Sequence, residues 1–191
     1  MMLEGLVTGI EPSGATLPGS VPPVDRWSPP LSGDLDLTIG ADGRWWHEGA
    51  ILSRPRLVRL LATILRREDD GEYYLVTPVE KWRIRVEDRP LLVVDAECSH
   101  ERERPCWRMT TQFGDVLALG SEHRLVLSAT PEGAWVPEVA VRFGLAARVH
   151  RNVYYRLIEQ AETREVDAGL ELGLVSDGVW QPLGRLDREP S

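Results

Sequence analysis

The chain has 191 residues, 42% of them hydrophobic and 27% charged, and its formal net charge at pH 7 is -8. This composition is typical of a folded globular protein with one large domain or two small ones. The acidic balance argues against binding of nucleic-acid polymers, which requires clustered cations to displace counterions from phosphates.

The two ends of the chain predict poorly ordered segments. Six prolines fall within the first thirty residues, together with glycine, serine and threonine, and this composition disfavours helices and central strands. We predict a disordered segment over residues 1–20, an extended arm held by Trp27 over 21–32, and a loose tail over 185–191. The N-terminus lacks a positive region and cleavage site, and no apolar run suits a membrane helix, so we expect a cytoplasmic protein without membrane insertion.

The first half of the chain predicts a hairpin followed by a helix and further strands. In LDLTIGADGRWWHE, apolar and polar residues alternate before the turn GADG, and a strand through Trp45 returns. In SRPRLVRLLATILRRE, leucine and isoleucine recur at helical spacing; Ser53 is the expected cap and Pro55 fits the first turn. Two strands follow, EYYLV and LLVVDAE, on either side of a more irregular stretch.

The second half repeats this order. The sequence RLVLSATPEGAWVPEVAVRFGLAARVHRNVYYRLIEQAE predicts a strand, a turn, an aromatic return strand and a helix that begins near Gly144. Aligning DGRWW with EGAWV gives a repeat spacing near ninety residues. The predicted fold class is therefore α+β, a duplicated strand-strand-helix-strand unit with mostly antiparallel sheets, and the predicted units are residues 21–98 and 99–184.

The irregular stretch begins at the end of EYYLV and reads YLVTPVEKWRIRV, residues 74–86. It contains Pro78 and a charge pair, Glu80 and Lys81, and Lys81 is the only lysine of the chain. By strand alternation the apolar face carries Trp82, Ile84 and Val86. Glu80 then falls on the apolar face as well, where a bare carboxylate would be costly. Three interpretations remain open: a solvated loop, a structural buried ion pair, and a ligand-binding carboxylate.

No enzyme motif accompanies this pair. The sequence has no dinucleotide-binding glycine pattern, no phosphate-binding loop with lysine, no zinc-protease motif and no nucleophile elbow. The two cysteines, Cys98 and Cys106, are best interpreted as reduced thiols. We therefore predict no catalytic residue, no metal site and no cofactor.

Four segments resemble a known bacterial family: GDLDLTIGADGRWWHEGA, LVRLLATILRRE, DGEYYLVTPVEKWRIRVED and VRFGLAARVHRNVYYRL. Together they are similar to the family of domain of unknown function 1285, over about residues 22–184. The resemblance implies a duplicated α+β core, a C-terminal half superficially like a pleckstrin-homology fold, and a nucleotide-like ligand in a cleft between the halves. It also implies a role in signal transduction. Pro137 and Trp82 depart from the family pattern.

The functional expectation combines this resemblance with the chemistry of individual side chains. We expect a small anionic, nucleotide-like ligand, because arginine can fork onto phosphate and tyrosine can stack on a base. The implied role in signalling adds a signalling protein as a second expected partner. The candidate ligand-binding residues are Tyr74, Thr77, Glu80 and Lys81 in the first half and Arg142 and Tyr154 in the second. The alternatives are a protein-protein interaction module without a small-molecule ligand and, more remotely, a hydrolase.

Overall fold

The computed structural model describes residues 21–101, 103–166 and 169–187. The segment predicted to be disordered, residues 1–20, lies outside the described residues. Of the predicted tail, residues 185–187 belong to the last strand and the remainder lies outside the described part. No helix within these ranges is both long and apolar enough to cross a bilayer.

The described chain forms two compact units. The first contains the residues up to Pro90 together with Arg142–Leu145, and the second contains Leu91–Val141 and the residues from Ala146 onward. The boundary predicted between residues 98 and 99 falls inside a long strand of the second unit, Leu91–Glu101.

The first unit consists of one six-stranded sheet, a helix and a short 3-10 turn at Val24–Arg26. Helix α1 is Pro55–Thr63. The strands are β1 Leu31–Ile39, β2 Trp45–His47, β3 Ala50–Ile51, β4 Leu65–Arg67, β5 Tyr73–Val76 and β6 Lys81–Val86. They are arranged in the order β3-β2-β1-β6-β5-β4, and only the central pair of β1 and β6 is parallel.

Local sequence signals account for much of this unit. The predicted turn GADG closes the β1–β2 hairpin, with the Gly40 amide donating to the Arg44 carbonyl at 2.8 Å and Gly43 at a φ of 80°. Helix α1 starts on Pro55 as expected, since proline suits the first helical position. The predicted cap was wrong: Arg54, and not Ser53, occupies the N-cap position, without a side-chain capping bond.

The N-terminal arm is held by both apolar and polar contacts within the first unit. Val24 is fully buried in a cluster with Tyr74 and Val76, and Trp27 packs against that cluster. The guanidinium of Arg66 donates 2.8 Å hydrogen bonds to the backbone carbonyls of Val24 and Trp27. These contacts agree with the prediction that Trp27 holds the arm, and they add an arginine that the sequence did not single out.

The second unit contains two sheets and one helix. Its six-stranded sheet comprises β7 Leu91–Glu101, β8 Arg104–Thr111, β9 Val116–Ala118, β10 Leu125–Ala129, β11 Trp135–Arg142 and β12 Leu145–Val149. Helix α2, Arg151–Ile158, follows. The remaining three strands, β13 Glu162–Val166, β14 Gly169–Ser176 and β15 Val179–Asp187, form an antiparallel sheet in chain order.

The duplication predicted from the sequence is confirmed by the sheets. The second six-stranded sheet has the order β10-β11-β12-β7-β8-β9, and only its central pair of β12 and β7 is parallel. With β7 equated to β1, this order is the same as in the first unit. The equivalent sheets begin at Leu31 and Leu91, so they repeat after sixty residues and not after the ninety inferred from the hairpins.

The start of the second helix was also wrong in the prediction. The residues expected to begin it, Leu145–Val149, form strand β12, and the helix begins only at Arg151, with the His150 side chain accepting a bond from the Asn152 amide. Strand β12 pairs with β7 more than fifty residues earlier in the chain. This long-range pairing overrides the helical spacing of the apolar residues, which is only a weak local preference. The predicted pleckstrin-homology likeness of the C-terminal half stays a prediction.

Candidate functional site

The charge pair singled out in the sequence lies at the start of β6. Glu80 is half-buried in a turn closed by Thr77, whose hydroxyl accepts a 3.0 Å hydrogen bond from the Glu80 amide. The Glu80 carboxylate accepts a 2.7 Å bond from the indole of Trp82. Glu80 therefore lies in the hairpin turn just before the strand, on the same face as Trp82, and its half-buried carboxylate is hydrogen-bonded and not bare.

Lys81 forms the ion pair of this region, with a partner that the sequence did not indicate. Its ammonium donates to the Glu68 carboxylate at 2.8 Å and lies 4.7 Å from the centre of the Tyr74 ring. Arg66 donates to the other Glu68 oxygen. Burial acts to raise the pKa of Glu68, but the hydrogen bonds from Lys81 and Arg66 outweigh it and hold that pKa below its ordinary value.

Tyr74 completes this cluster of paired groups. Its hydroxyl donates a 2.6 Å hydrogen bond to Asp70, and this bond, with burial, raises the pKa of Tyr74 to about 12. The carboxylates and the ammonium thus neutralise one another within the first unit. Such mutual pairing is typical of a structural network and leaves little charge to offer a ligand.

The two remaining candidates lie in different units. Arg142 belongs to the first, where its Nη2 atom donates to the Ala62 carbonyl at 3.2 Å. Tyr154 lies on helix α2 in the second unit. Five of the six predicted residues are therefore in the first unit, and Tyr154 alone lines the cavity described next.

A groove of about 790 Å³ opens in the second unit. Its volume lies within the range of pockets that bind small molecules. One wall is formed by β10 and the first residue of β11, the other by the three-stranded sheet, and Tyr154 of helix α2 also contributes.

The wall formed by the three-stranded sheet carries a row of charges across its strands. Arg164 of β13 and Arg185 of β15 are both the register partners of Glu171 on β14. Arg164 donates two hydrogen bonds to one Glu171 oxygen, at 2.9 and 2.7 Å, and Arg185 lies 3.8 Å from the other. Glu171 is only 6% exposed, so this pairing compensates a carboxylate that would be costly to bury alone.

Trp180 is stacked into the same wall. Its indole donates a 2.9 Å hydrogen bond to Glu171, and the guanidinium carbon of Arg164 lies 4.6 Å from its ring centre. The ring lies directly over Gly173, where an added Cβ would come within 2.5 Å of it. The stack therefore has three layers, in the order Gly173, Trp180 and Arg164. Hydrogen bonds to Glu171 hold the side chains of Trp180 and Arg164 in place.

A bulge in β15 lets Trp180 and Arg185 share one face. Residues five apart on a regular strand point to opposite faces. Here Pro182 pairs with Gly173 and Gly184 pairs with Leu172, so Leu183 is an extra residue that changes the alternation. The bulge thereby brings both side chains to Glu171.

The opposite wall is apolar. Leu125 and Leu127 of β10 share a face with Trp135, which is the register partner of Ala129. Leu125 is buried, whereas Trp135 is 67% exposed. Trp135 therefore offers an exposed aromatic face at the edge of the cavity.

Tyr154 and Gly184 shape another part of the groove. Burial raises the pKa of the half-buried Tyr154, which keeps its hydroxyl protonated at neutral pH. An added Cβ at Gly184 would lie 3.5 Å from that hydroxyl, so the glycine leaves space in front of it. Within the described residues the hydroxyl has no hydrogen-bond partner, and it can donate to a ligand.

Sequence reasoning missed most of this groove. Four of its central residues, Arg164, Glu171, Trp180 and Arg185, come from strands β13–β15, for which no prediction was made. The alternation in ETREV and GLELGLVS indicates strands, but it does not indicate that three strands align Arg164, Glu171 and Arg185. The one signal available was the presence of Arg164 in the first of these segments and of Trp180 and Arg185 in the last.

These features define a two-unit α+β protein with a duplicated six-stranded sheet and a groove in its second unit. The N-terminal domain of the family of unknown function DUF1285 matches residues 22–89, and the C-terminal domain of that family matches residues 90–183. The chain therefore belongs to the DUF1285 family, as its resemblance in sequence predicted.

Two crystal structures of DUF1285 family proteins are similar to this chain. The protein from Silicibacter pomeroyi DSS-3 is 36% identical, with a TM-score of 0.81 over 96% of this chain and 95% of its own. The protein from Shewanella baltica OS155 is 30% identical, with a TM-score of 0.51 over 66% of this chain and 92% of its own. Comparison with curated proteins found no match.

Proposed function

We propose that this protein binds a small anionic, nucleotide-like molecule in the groove of its second unit. The observation that carries the proposal is the composition of the two walls: Arg164, Arg185 and the stacked Trp180 lie on one wall, and the other carries an exposed tryptophan, Trp135, with Arg124 just before β10. Arginine binds phosphate and carboxylate through paired hydrogen bonds, and aromatic faces hold flat rings.

The charge of the groove supports an anionic ligand. Arg124, Arg164 and Arg185 line it, and Glu171 is the one carboxylate among the lining residues that the structure describes. The groove therefore has an excess of positive charge in a chain whose formal net charge is -8. A local cationic surface of this kind attracts anions and raises their local concentration.

We extend the proposal to a cytoplasmic role in signal transduction, in which ligand occupancy of the groove is the signal. The cleft between the halves and the first-unit residues Tyr74, Thr77, Glu80 and Lys81 remain a predicted alternative location. A protein-protein interaction module is the alternative function, and the exposed Trp135 would serve it equally well.

The test is isothermal titration calorimetry of the full-length chain with a panel of nucleotides, run beside the Arg124→Gln and Arg85→Gln variants. Arg85 is exposed on β6 and serves as the matched control. We expect at least one nucleotide to bind, Arg124→Gln to weaken it, and Arg85→Gln to leave it unchanged. If no member of the panel binds, the protein-interaction alternative is favoured.

A further inference from the structure

We propose that the groove selects a ligand in which one dianionic group, such as a single phosphate monoester, is attached to a flat ring, and that it discriminates against polyphosphates. The inference rests on the proposed function and specifies the ligand. It follows from asking which side chains of the groove are already engaged and which are available.

Arg164 is engaged. Both of its hydrogen bonds to Glu171 and its position over Trp180 fix the guanidinium, although 48% of the side chain is exposed. Releasing it toward a ligand anion would leave the buried Glu171 without its closest cation. Arg164 therefore presents a flat surface to the groove and does not serve as a phosphate clamp.

Arg124 and Arg185 are available. Arg124 is exposed and has no ion pair or hydrogen bond from its side chain within the described residues. Arg185 is 71% exposed, and it lies 3.8 Å from the Glu171 oxygen that Arg164 and Trp180 do not bind, which is too far for a hydrogen bond. Two available guanidiniums carry two positive charges, which match the charge of about -1.5 to -2 on one phosphate monoester at pH 7.

A polyphosphate would exceed this capacity. Each further phosphate adds about one negative charge, and the third cation among the described lining residues, Arg164, is already paired with Glu171. The chain as a whole repels anions, because its formal net charge is -8. The extra charge therefore gains no partner and experiences net repulsion.

We assign the flat ring of the ligand to two surfaces of the groove. One of them is uncharged, and the charge of the other is neutralised by Glu171. Trp135 presents an exposed indole on the apolar wall, and the Arg164 guanidinium stacked on Trp180 presents a planar surface on the other. Flat π systems stack on both kinds of surface. An aliphatic or purely sugar-based anion would leave them uncovered.

The experiment is a matched set of titrations on the full-length chain. The probes are the four 5′-ribonucleoside monophosphates, their triphosphates, the corresponding nucleosides, and ribose 5-phosphate, which keeps the sugar and phosphate but lacks the ring. We expect at least one monophosphate to bind about tenfold more tightly than ribose 5-phosphate, its nucleoside and its triphosphate.

Three variants assign the roles. The double variant Arg124→Gln and Arg185→Gln should weaken monophosphate binding about tenfold or more and leave nucleoside binding unchanged. Trp135→Ala should reduce the affinity for the monophosphate to the affinity for ribose 5-phosphate. Arg85→Gln, the matched control, should change neither.

The possible results separate the inference from the function on which it rests. If a triphosphate binds as tightly as its monophosphate, or ribose 5-phosphate as tightly as every monophosphate, the inference is overturned while anion binding stands. If the Arg124→Gln and Arg185→Gln double variant binds normally, the assignment of the clamp is wrong. If none of the probes binds, both the inference and the proposed function are overturned.

Discussion

The guanidinium of Arg164 lies over the indole of Trp180, 4.6 Å from its centre, and both side chains bind the same oxygen of Glu171. The planar guanidinium of Arg164 is therefore held in one position and forms a flat surface. The indole in turn covers Gly173, which has no side chain to displace it. The groove wall therefore depends on a glycine that is not itself among the residues lining the groove.

Replacing Gly173 with alanine should displace Trp180, because the added Cβ would lie 2.5 Å from the ring and 2.6 Å from the Gln181 carbonyl. We expect a loss of about 1–3 kcal/mol in the free energy of unfolding, measured by urea denaturation. Gly120→Ala is the control, since its Cβ would lie 3.6 Å from Asp177 at ordinary contact distance. Equal stability of the two variants would show that the stack is not tightly packed.

The Glu68 network should make part of the stability dependent on pH. Because the pKa of Glu68 is held below its ordinary value of 4.5 in the folded state, its contribution is fully present above pH 4.5 and is lost as the pH falls through the folded value. We expect the stability difference between wild type and Glu68→Gln to be constant from pH 7 to 5 and to shrink below 4.5. Glu72→Gln, at an exposed position outside the network, is the control variant.

Arg66 should control the attachment of the N-terminal arm. Arg66→Met removes the hydrogen bonds to the Val24 and Trp27 carbonyls, each 2.8 Å long in the wild type. We expect faster chymotrypsin cleavage after Trp27, because the released segment fits a protease better than a docked one. The control is Arg59→Met on the exposed face of α1. Unchanged cleavage in Arg66→Met would mean that the apolar contacts of Val24 and Trp27 suffice.

Variants of Glu80 and Lys81 distinguish between the two locations proposed for the ligand. Glu80→Gln keeps an oxygen that can accept the 2.7 Å bond from Trp82, so we expect a change of less than about 1 kcal/mol in unfolding free energy. If the ligand binds in the groove of the second unit, this variant and Lys81→Arg should both retain wild-type affinity by calorimetry. Weaker binding in both would favour the first-unit location that the sequence suggested.

Local features of the sequence predicted the parts of the fold that depend on neighbouring residues. The GADG turn and the start of α1 at Pro55 follow from backbone preferences within a few residues. The duplication was predicted from a similarity between the β1–β2 and β10–β11 segments, although the sheet order makes β7–β8, and not β10–β11, the equivalent of β1–β2. Strand β12 was predicted as helix, since its parallel partner β7 lies far away in the chain.

The candidate site was less predictable for the same reason. The charge pair at Glu80 attracted notice because the two charges interrupt an apolar run, yet the ion pair of Lys81 is with Glu68. The row formed by Arg164, Glu171 and Arg185 depends on the register of three strands and on a bulge at Leu183. Strand register is a tertiary property, and no spacing in a single sequence specifies it.

The most direct test of the groove as the ligand site uses the seven tryptophan indole signals in a nitrogen-15 NMR spectrum of the full-length chain. The signals are assigned by single Trp→Phe variants, and each nucleoside monophosphate is then titrated. The account predicts that the signals of Trp135 and Trp180 shift with ligand concentration while those of Trp45 and Trp46 stay fixed. Shifts confined to Trp27 and Trp82, with Trp135 and Trp180 unmoved, would contradict it.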